Sequence, residues 1–159
     1  MKIELLTGLI LTILPITELR VGLPIILNYV IKNDLPVTPY FLLVLALNIL
    51  IIFFIFFFLD FIHQHLLKIH FYKNLVEKKL NSLQEKSTKL QQRFNTTGFF
   101  ALTLFVAIPL PGTGAWTGTI LAWILNLERK KSIIAIATGV IIAGILILLA
   151  SLGILNIIY

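Results

Sequence analysis

A carboxylate and a guanidinium lie two positions apart inside an apolar run near the start of the chain. Glu18 and Arg20 belong to residues 14–24, which also carry Pro15 and interrupt the otherwise apolar residues 3–31. A charged side chain at bilayer depth costs about 3 kcal/mol or more, so such charges predict a functional site by default. The plainer alternative is mutual neutralisation, although leucines would pack there at lower cost.

Glu18 and Arg20 suit different chemistry. Burial favours the neutral form of a carboxyl group, so Glu18 is the candidate for proton coupling or cation binding. Arg20 stays charged, and its planar fork fits phosphate or carboxylate groups. Their spacing places them on different sides of a helix, so the sequence alone does not establish an ion pair. We expect at least one of them to contact a substrate or a coupling ion.

The composition explains why these charges stand out. The chain has 159 residues, of which 58% are hydrophobic and 13% charged, and a mean hydropathy of +1.00. These values predict an integral membrane protein. The net charge of +6 does not indicate a nucleic-acid partner, because the basic residues cluster beside apolar runs. Without cysteine, the chain has no thiolate nucleophile and no disulfide.

The first apolar run is broken before it could cross a membrane. Residues 3–14 as a helix reach roughly 18 Å, against a hydrocarbon core of ~30 Å. Pro15 then predicts a helix end. We expect Thr17 to cap a second arm that reaches residue 31, with Pro24 producing a kink.

The rest of the chain repeats this pattern. Residues 38–60 form a full span with one interior polar side chain, Asn48, for which a contact between helices is the first expectation. A second broken segment, 98–126, is interrupted at 108–114, and a second full span, 132–156, follows.

Between the two repeats, residues 61–96 are hydrophilic, and we expect Asp60 to cap an amphipathic helix there. Its apolar stripe consists of Val76, Leu80, Leu83, Leu90 and Phe94.

Two topologies compete for the broken segments. If each crosses the membrane, the twelve basic residues outside them divide 8 to 4 between the two sides. If each is a re-entrant hairpin, they divide 10 to 2, which the positive-inside rule favours. The linker is then cytoplasmic and both termini are outside. Each repeat has one crossing, so the repeats are inverted, and their hairpin tips should meet at a polar cavity near the midplane.

Two motifs carry a family resemblance. Residues 15–24 (PITELRVGLP) and 109–118 (PLPGTGAWTG) occur in an order that resembles the prokaryotic putative small multidrug export protein family. That family is similar to DedA-like membrane proteins, which have two facing re-entrant hairpins and are linked to moving lipids such as polyprenyl phosphate carriers or phospholipids. The resemblance implies a transporter in the prokaryotic plasma membrane. The second broken segment lacks the arginine of DedA-like relatives, which leaves Arg20 alone to serve a phosphate.

The predicted fold is therefore an all-α integral membrane protein with an inverted repeat, each repeat being a re-entrant helical hairpin followed by a transmembrane helix. Repeat 1 covers residues 1–60 with hairpin 3–31. The cytoplasmic amphipathic linker helix covers 61–96, and repeat 2 covers 97–159. The candidate substrate or coupling-ion residues are Glu18, Arg20, Thr17, Pro15, Pro109, Pro111, Gly112, Thr113, Gly114, Trp116 and Asn48.

The predicted function is ion- or proton-coupled transport or lipid flipping. The alternatives are a passive lipid scramblase and a membrane-organising scaffold that acts through the linker stripe. His63, His65 and His70 lack a matching carboxylate or cysteine set, so we expect no metal site and no cofactor. No catalytic grouping is present, so we expect no enzyme. Two crossings enclose little space, which predicts a homodimer in contact with membrane lipid and a small-molecule or lipid substrate.

Overall fold

The computed structural model describes residues 2–66, 97–110 and 112–158, and these residues form six helices and no strand. The all-helical fold class is thus confirmed for the described part of the chain. The helices are α1 (Lys2–Ile13), α2 (Glu18–Lys32), α3 (Val37–Leu66), α4 (Phe99–Ala107), α5 (Ala115–Ile124) and α6 (Arg129–Ile158).

Two of the helices are long and apolar enough to cross a membrane. They contain the windows Val37–His63, of 27 residues, and Arg129–Ile154, of 26 residues. These windows contain or overlap the spans predicted at 38–60 and 132–156. α3 and α6 run antiparallel, because Leu45 lies against Gly144 while Asp60 pairs with Arg129.

α1 and α2 form an antiparallel pair joined by residues 14–17, which we call the first turn. The chain turns where Pro15 removes a backbone donor, as the sequence predicts. The helices approach closely because Gly22 lies against Thr12 and the carbonyl of Gly8. Pro24 lies inside α2 without ending it.

α4 and α5 form a second antiparallel pair across residues 108–114, the second turn. The side chain of Val106 on α4 packs against Gly118 on α5, and α4 also packs against α6, where Val106 meets Gly139. α4 ends at Ala107, next to the extended residue Ile108 and the proline that follows it.

The core is built around α2. Its residues Leu23, Ile26, Leu27 and Val30 are fully buried, since α2 contacts α1, α3 and α6. The exposed residues of α3 and α6 are largely apolar, among them Phe53, Phe57, Ile142 and Leu149. Such an outer surface suits contact with lipid tails.

The predicted linker began too early. α3 continues to Leu66, so residues 61–66 belong to this long helix and Asp60 lies inside it, where it caps no helix start. The helix α3 continues through the polar residues that suggested a boundary. The remaining linker, with its stripe from Val76 to Phe94, and His70 lie outside the described residues.

Replacing Gly22 by alanine tests the α1–α2 contact. A Cβ there would overlap the Thr12 hydroxyl and lie 2.7 Å from the Gly8 carbonyl oxygen, so we expect a loss of about 1–3 kcal/mol in unfolding free energy. The measurement is thermal unfolding in detergent, followed by circular dichroism.

Gly153→Ala is the matched control. A Cβ on this helical glycine meets nothing within 4 Å, so we expect stability to stay the same or rise by about 0.5–1 kcal/mol. Equal effects of the two substitutions would contradict the close packing assigned to Gly22.

Candidate functional site

The two turns lie against each other, although they are far apart in the sequence. The indole N–H of Trp116 donates a hydrogen bond of 2.9 Å to the carbonyl of Ile13, at the end of α1. Further bonds from Glu18 and Arg20 join the same two regions. These contacts bring together most of the residues that the sequence singled out.

Glu18 caps a helix in the other half of the chain. One carboxylate oxygen accepts the backbone N–H of Ala115 at 3.2 Å, and the other accepts that of Trp116 at 3.0 Å. These are the first two N–H groups of α5, which have no partner within the helix. A carboxylate also complements the positive end of the helix dipole. Glu18 is 2% exposed, so the arrangement is enclosed by protein.

The backbone of Glu18 is in an unusual conformation. Its φ is +45°, in the left-handed region, which costs a residue with a side chain about 1–2 kcal/mol. Its N–H bonds to the carbonyl of Leu14 at 3.1 Å, so this conformation closes the first turn. Strain of this kind is typical of functional sites, where surrounding contacts hold it in place.

Arg20 reaches the second turn with one arm of its guanidinium. Nη2 donates to the hydroxyl of Thr113 at 2.8 Å and to the carbonyl of Ile108 at 3.3 Å. Nη1 lies 3.6 Å from Oε2 of Glu18, so the two charges form the ion pair that their spacing left undecided. Nε is buried and has no hydrogen-bond partner among the described residues.

Two glycines of the second turn have different roles. Gly112 has a φ of +83°, and nothing lies within 4 Å of the position of a Cβ, so it serves the turn itself. Gly114 lies directly against the Glu18 carboxylate, and a Cβ there would overlap it. Gly112 therefore permits the turn, and Gly114 permits the close approach of the Glu18 carboxylate.

The cap expected from the Thr17 side chain is not formed. The hydroxyl of Thr17 donates to the carbonyl of Leu11 at 2.6 Å, so it serves the end of α1 and not the start of α2. The Thr113 hydroxyl lies 2.7 Å from the carbonyl oxygen of Ile108. Both threonines thus bond to backbone carbonyls at the breaks, that of Leu11 near the end of α1 and that of Ile108 just after α4, which also accepts the N–H of Leu110 at 2.8 Å.

The other candidates are more distant or lie in the turns. Pro15 and Pro109 are exposed turn residues, and Pro111 lies outside the described residues. Asn48 is fully buried on α3, and its amide N–H₂ donates to the carbonyl of Val44 on its own helix at 3.0 Å. Its buried Oδ1 has no partner within the described part of the chain.

A narrow crevice borders the charged pair. Its lining consists of Glu18, Leu19, Arg20, Val106, Gly114, Ala115, Val140 and Ala143. The walls opposite the charges are therefore apolar side chains of α4 and α6. The crevice has no room for a water molecule, so this conformation is closed to a substrate.

A second cluster, at the far end of α5, was not predicted. Asp60 accepts the indole N–H of Trp123 at 2.9 Å and pairs with Arg129, whose guanidinium lies 4.9 Å from the centre of the Phe56 ring. The sequence signal for this cluster was the single acidic residue Asp60 at the end of an apolar run. The ring of His63 meets Trp123 edge-on. Among residues 2–66, 97–110 and 112–158, no three potential ligands gather to hold a metal ion.

Comparison with known proteins identifies the family. No curated protein and no solved structure matches the chain. The family model described as putative small multi-drug export protein matches residues 18–146, a region that contains both Glu18 and the second turn. Together with the two long apolar helices, this match establishes that the chain is a membrane protein and belongs to the putative small multi-drug export protein family.

Proposed function

We propose that this protein is a small membrane transporter whose site lies where the two turns meet. It moves a substrate unmodified and coupled to an ion or a proton. The family description is consistent with export. The observation that carries the proposal is the contact of Glu18 and Arg20 with the second turn. Opening a path between the turns would have to break these bonds.

The lengths of the short helices support re-entrant hairpins. α1 has 12 residues and α4 has 9, so they reach roughly 18 and 14 Å, well under a hydrocarbon core of ~30 Å. Each helix pair would therefore enter the bilayer and return to the side it came from. Backbone groups outside regular helix at that depth need hydrogen-bond partners from protein or from a water-filled cavity. The hydrogen bonds between the two turns supply some of these partners.

The placement of the helix ends supports an inverted arrangement. α3 begins shortly after α2, and Asp60 in its last third lies beside Trp123 near the end of α5 and Arg129 at the start of α6. The open ends of the α1–α2 pair and the α4–α5 pair would then lie on opposite sides of the membrane. Two such pairs meeting near the midplane are typical of transporter sites.

Glu18 is the proposed coupling group. It contacts both α5 and Arg20, so adding a proton to its carboxylate would weaken the link between the turns. Arg20 remains to attract or orient the substrate. The basic residues 129–131 and the basic linker would lie in the cytoplasm of a prokaryotic cell, with both termini outside.

We also propose a homodimer in lipid. Ile16 and Leu110, at the tips of the two turns, are 79% and 56% exposed in the single chain. A second copy could cover the turn backbone that lipid would leave unsatisfied.

Single cysteines test the topology, and the chain contains none of its own. We expect Glu4→Cys and Lys32→Cys to react with an impermeant maleimide from the same side of the membrane, and Lys130→Cys from the other. Labelling is measured in intact cells and in inverted vesicles. Reaction of Glu4→Cys and Lys32→Cys from different sides would refute the hairpins.

Glu18→Gln tests coupling in proteoliposomes with an imposed pH gradient and an internal pH dye. For the wild type, we expect proton movement on addition of octyl phosphate or tetraphenylphosphonium. We expect Glu18→Gln to lose at least about 90% of it, because an amide carries no titrating proton. Glu4→Gln, an exposed change of the same kind, is the control. Equal proton movement in both variants would remove Glu18 from the mechanism, and probe movement without protons would indicate a passive scramblase.

Crosslinking tests the dimer. Ile16→Cys should form a disulfide-linked dimer in membranes under mild oxidation, because residue 16 at the tip of the first turn would lie next to residue 16 of the second copy. Phe57→Cys, which is also exposed, should form little. A monomeric mass in lipid nanodiscs together with equal crosslinking at both positions would contradict the dimer.

A further inference from the structure

The place held by the Glu18 carboxylate is itself a complete anion site. Two backbone N–H groups of α5 point at it, the Arg20 guanidinium lies 3.6 Å away, and Gly114 leaves room for the close approach. The donors come from different parts of the chain and converge on one carboxylate. This convergence is what a protein builds to hold an acidic group.

We propose that Glu18 is a tethered occupant of this site, and that the acidic group of the exported substrate takes the place of its carboxylate. The inference rests on the transport function proposed above and adds the substrate class: an anion, with a carboxylate or a phosphate as its head. Glu18 leaves the site as the substrate enters.

The charges around the site favour an anion over a cation. With Glu18 displaced, Arg20 and the positive end of the α5 dipole remain, and an anion restores the balance. A cationic substrate that approached Glu18 would meet two oxygens that already accept hydrogen bonds, with a guanidinium beside them. Like charges so close together disfavour that complex.

Arg20 has donor capacity that the present arrangement does not use. Its Nε is buried and has no partner among the described residues, and its Nη1 makes only the 3.6 Å contact with Glu18. Nε and Nη1 lie on different edges of the guanidinium, so an oxygen of an entering carboxylate or phosphate could accept from either one of them.

The walls of the crevice describe the rest of the ligand. Val106, Val140 and Ala143 face the charged pair, so the body next to the acidic head should be apolar. The crevice is closed in this conformation, and substrate entry requires these walls to separate.

Carbodiimide labelling of the wild-type protein in nanodiscs tests the displacement. Octyl phosphate should increase the reaction of Glu18 with dicyclohexylcarbodiimide several-fold, because the carboxyl loses its N–H partners. Octyltrimethylammonium should leave it unchanged. Labelling is read by mass spectrometry of the peptide that contains Glu18. Unchanged labelling with octyl phosphate, or protection by octyltrimethylammonium, would overturn the inference.

Affinity measurements on Glu18→Gln provide the second test, with Glu4→Gln as the matched control. Replacing the carboxylate by an amide weakens the tethered competitor and should tighten octyl phosphate binding about tenfold, because an uncharged side chain holds the site less strongly than Glu18 does. Glu4→Gln should bind as the wild type does. Unchanged or weaker anion binding in Glu18→Gln would contradict the proposal.

Inorganic phosphate, which has an acidic group but no apolar body, tests whether the apolar body contributes to binding. Binding at least tenfold weaker than that of octyl phosphate supports the apolar body, whereas equal binding refutes that part of the inference. These binding tests need no transport. A protein that carries tetraphenylphosphonium and binds no anion overturns this inference alone, whereas the absence of coupled flux overturns the transport proposal alone.

Discussion

The structure depends on hydrogen-bond partners for the backbone N–H and C=O groups at the ends of the short helices, which have none within their own helix. Glu18 accepts the first N–H groups of α5, Trp116 donates to the end of α1, and Arg20 donates to the end of α4. In apolar surroundings each unsatisfied group would cost several kcal/mol. The two halves are therefore tied together through the breaks themselves, and the polar residues are concentrated where regular hydrogen bonding stops.

α5 is held at both ends by carboxylates of the first half. Glu18 binds its N-terminus, and Asp60 binds Trp123 near its C-terminus. Along its length it presents small buried residues, Gly118 and Ala122 among them, which let neighbouring helices approach closely. α5 is thus fixed at both ends to the first half of the chain, whereas α3 and α6 are long and continuous.

Much of the fold could be predicted from the sequence because its signals are local. Prolines end helices and long apolar runs form spans, and these rules located the breaks at Pro15 and Pro109 and both long helices. The extension of α3 through Asp60 was missed, because a polar residue does not itself end a helix. The hydrogen bond of the Asn48 amide to its own helix also carried no sequence signal, because an asparagine can bond within a helix or between helices.

The site was predictable in its members but not in its bonds. Burial cost alone identified Glu18 and Arg20 as functional candidates. Their partners lie about a hundred residues away and are largely backbone groups, which carry no sequence signal. Thr17 and Thr113 are good cap formers by type, yet the Thr17 hydroxyl donates to a carbonyl of α1, and Glu18 in place of Thr113 serves the N-terminus of α5. Local preference was thus overruled by a contact between the halves.

The hydrogen bonds made by Glu18 help to distinguish a structural role, capping α5, from a role that requires a charge. A leucine pair in place of Glu18 and Arg20 would avoid the desolvation of two charges, but it would leave the α5 N–H groups without partners. A neutral side chain with an acceptor oxygen could supply those partners at a lower desolvation cost, so capping alone does not require a charge. The Nε of Arg20, which has no partner among the described residues, lies beside an apolar crevice, and capping does not explain it either. The structural role accounts for an acceptor at position 18 but not for its charge or for the Nε of Arg20, and the anionic substrate that we propose would account for both.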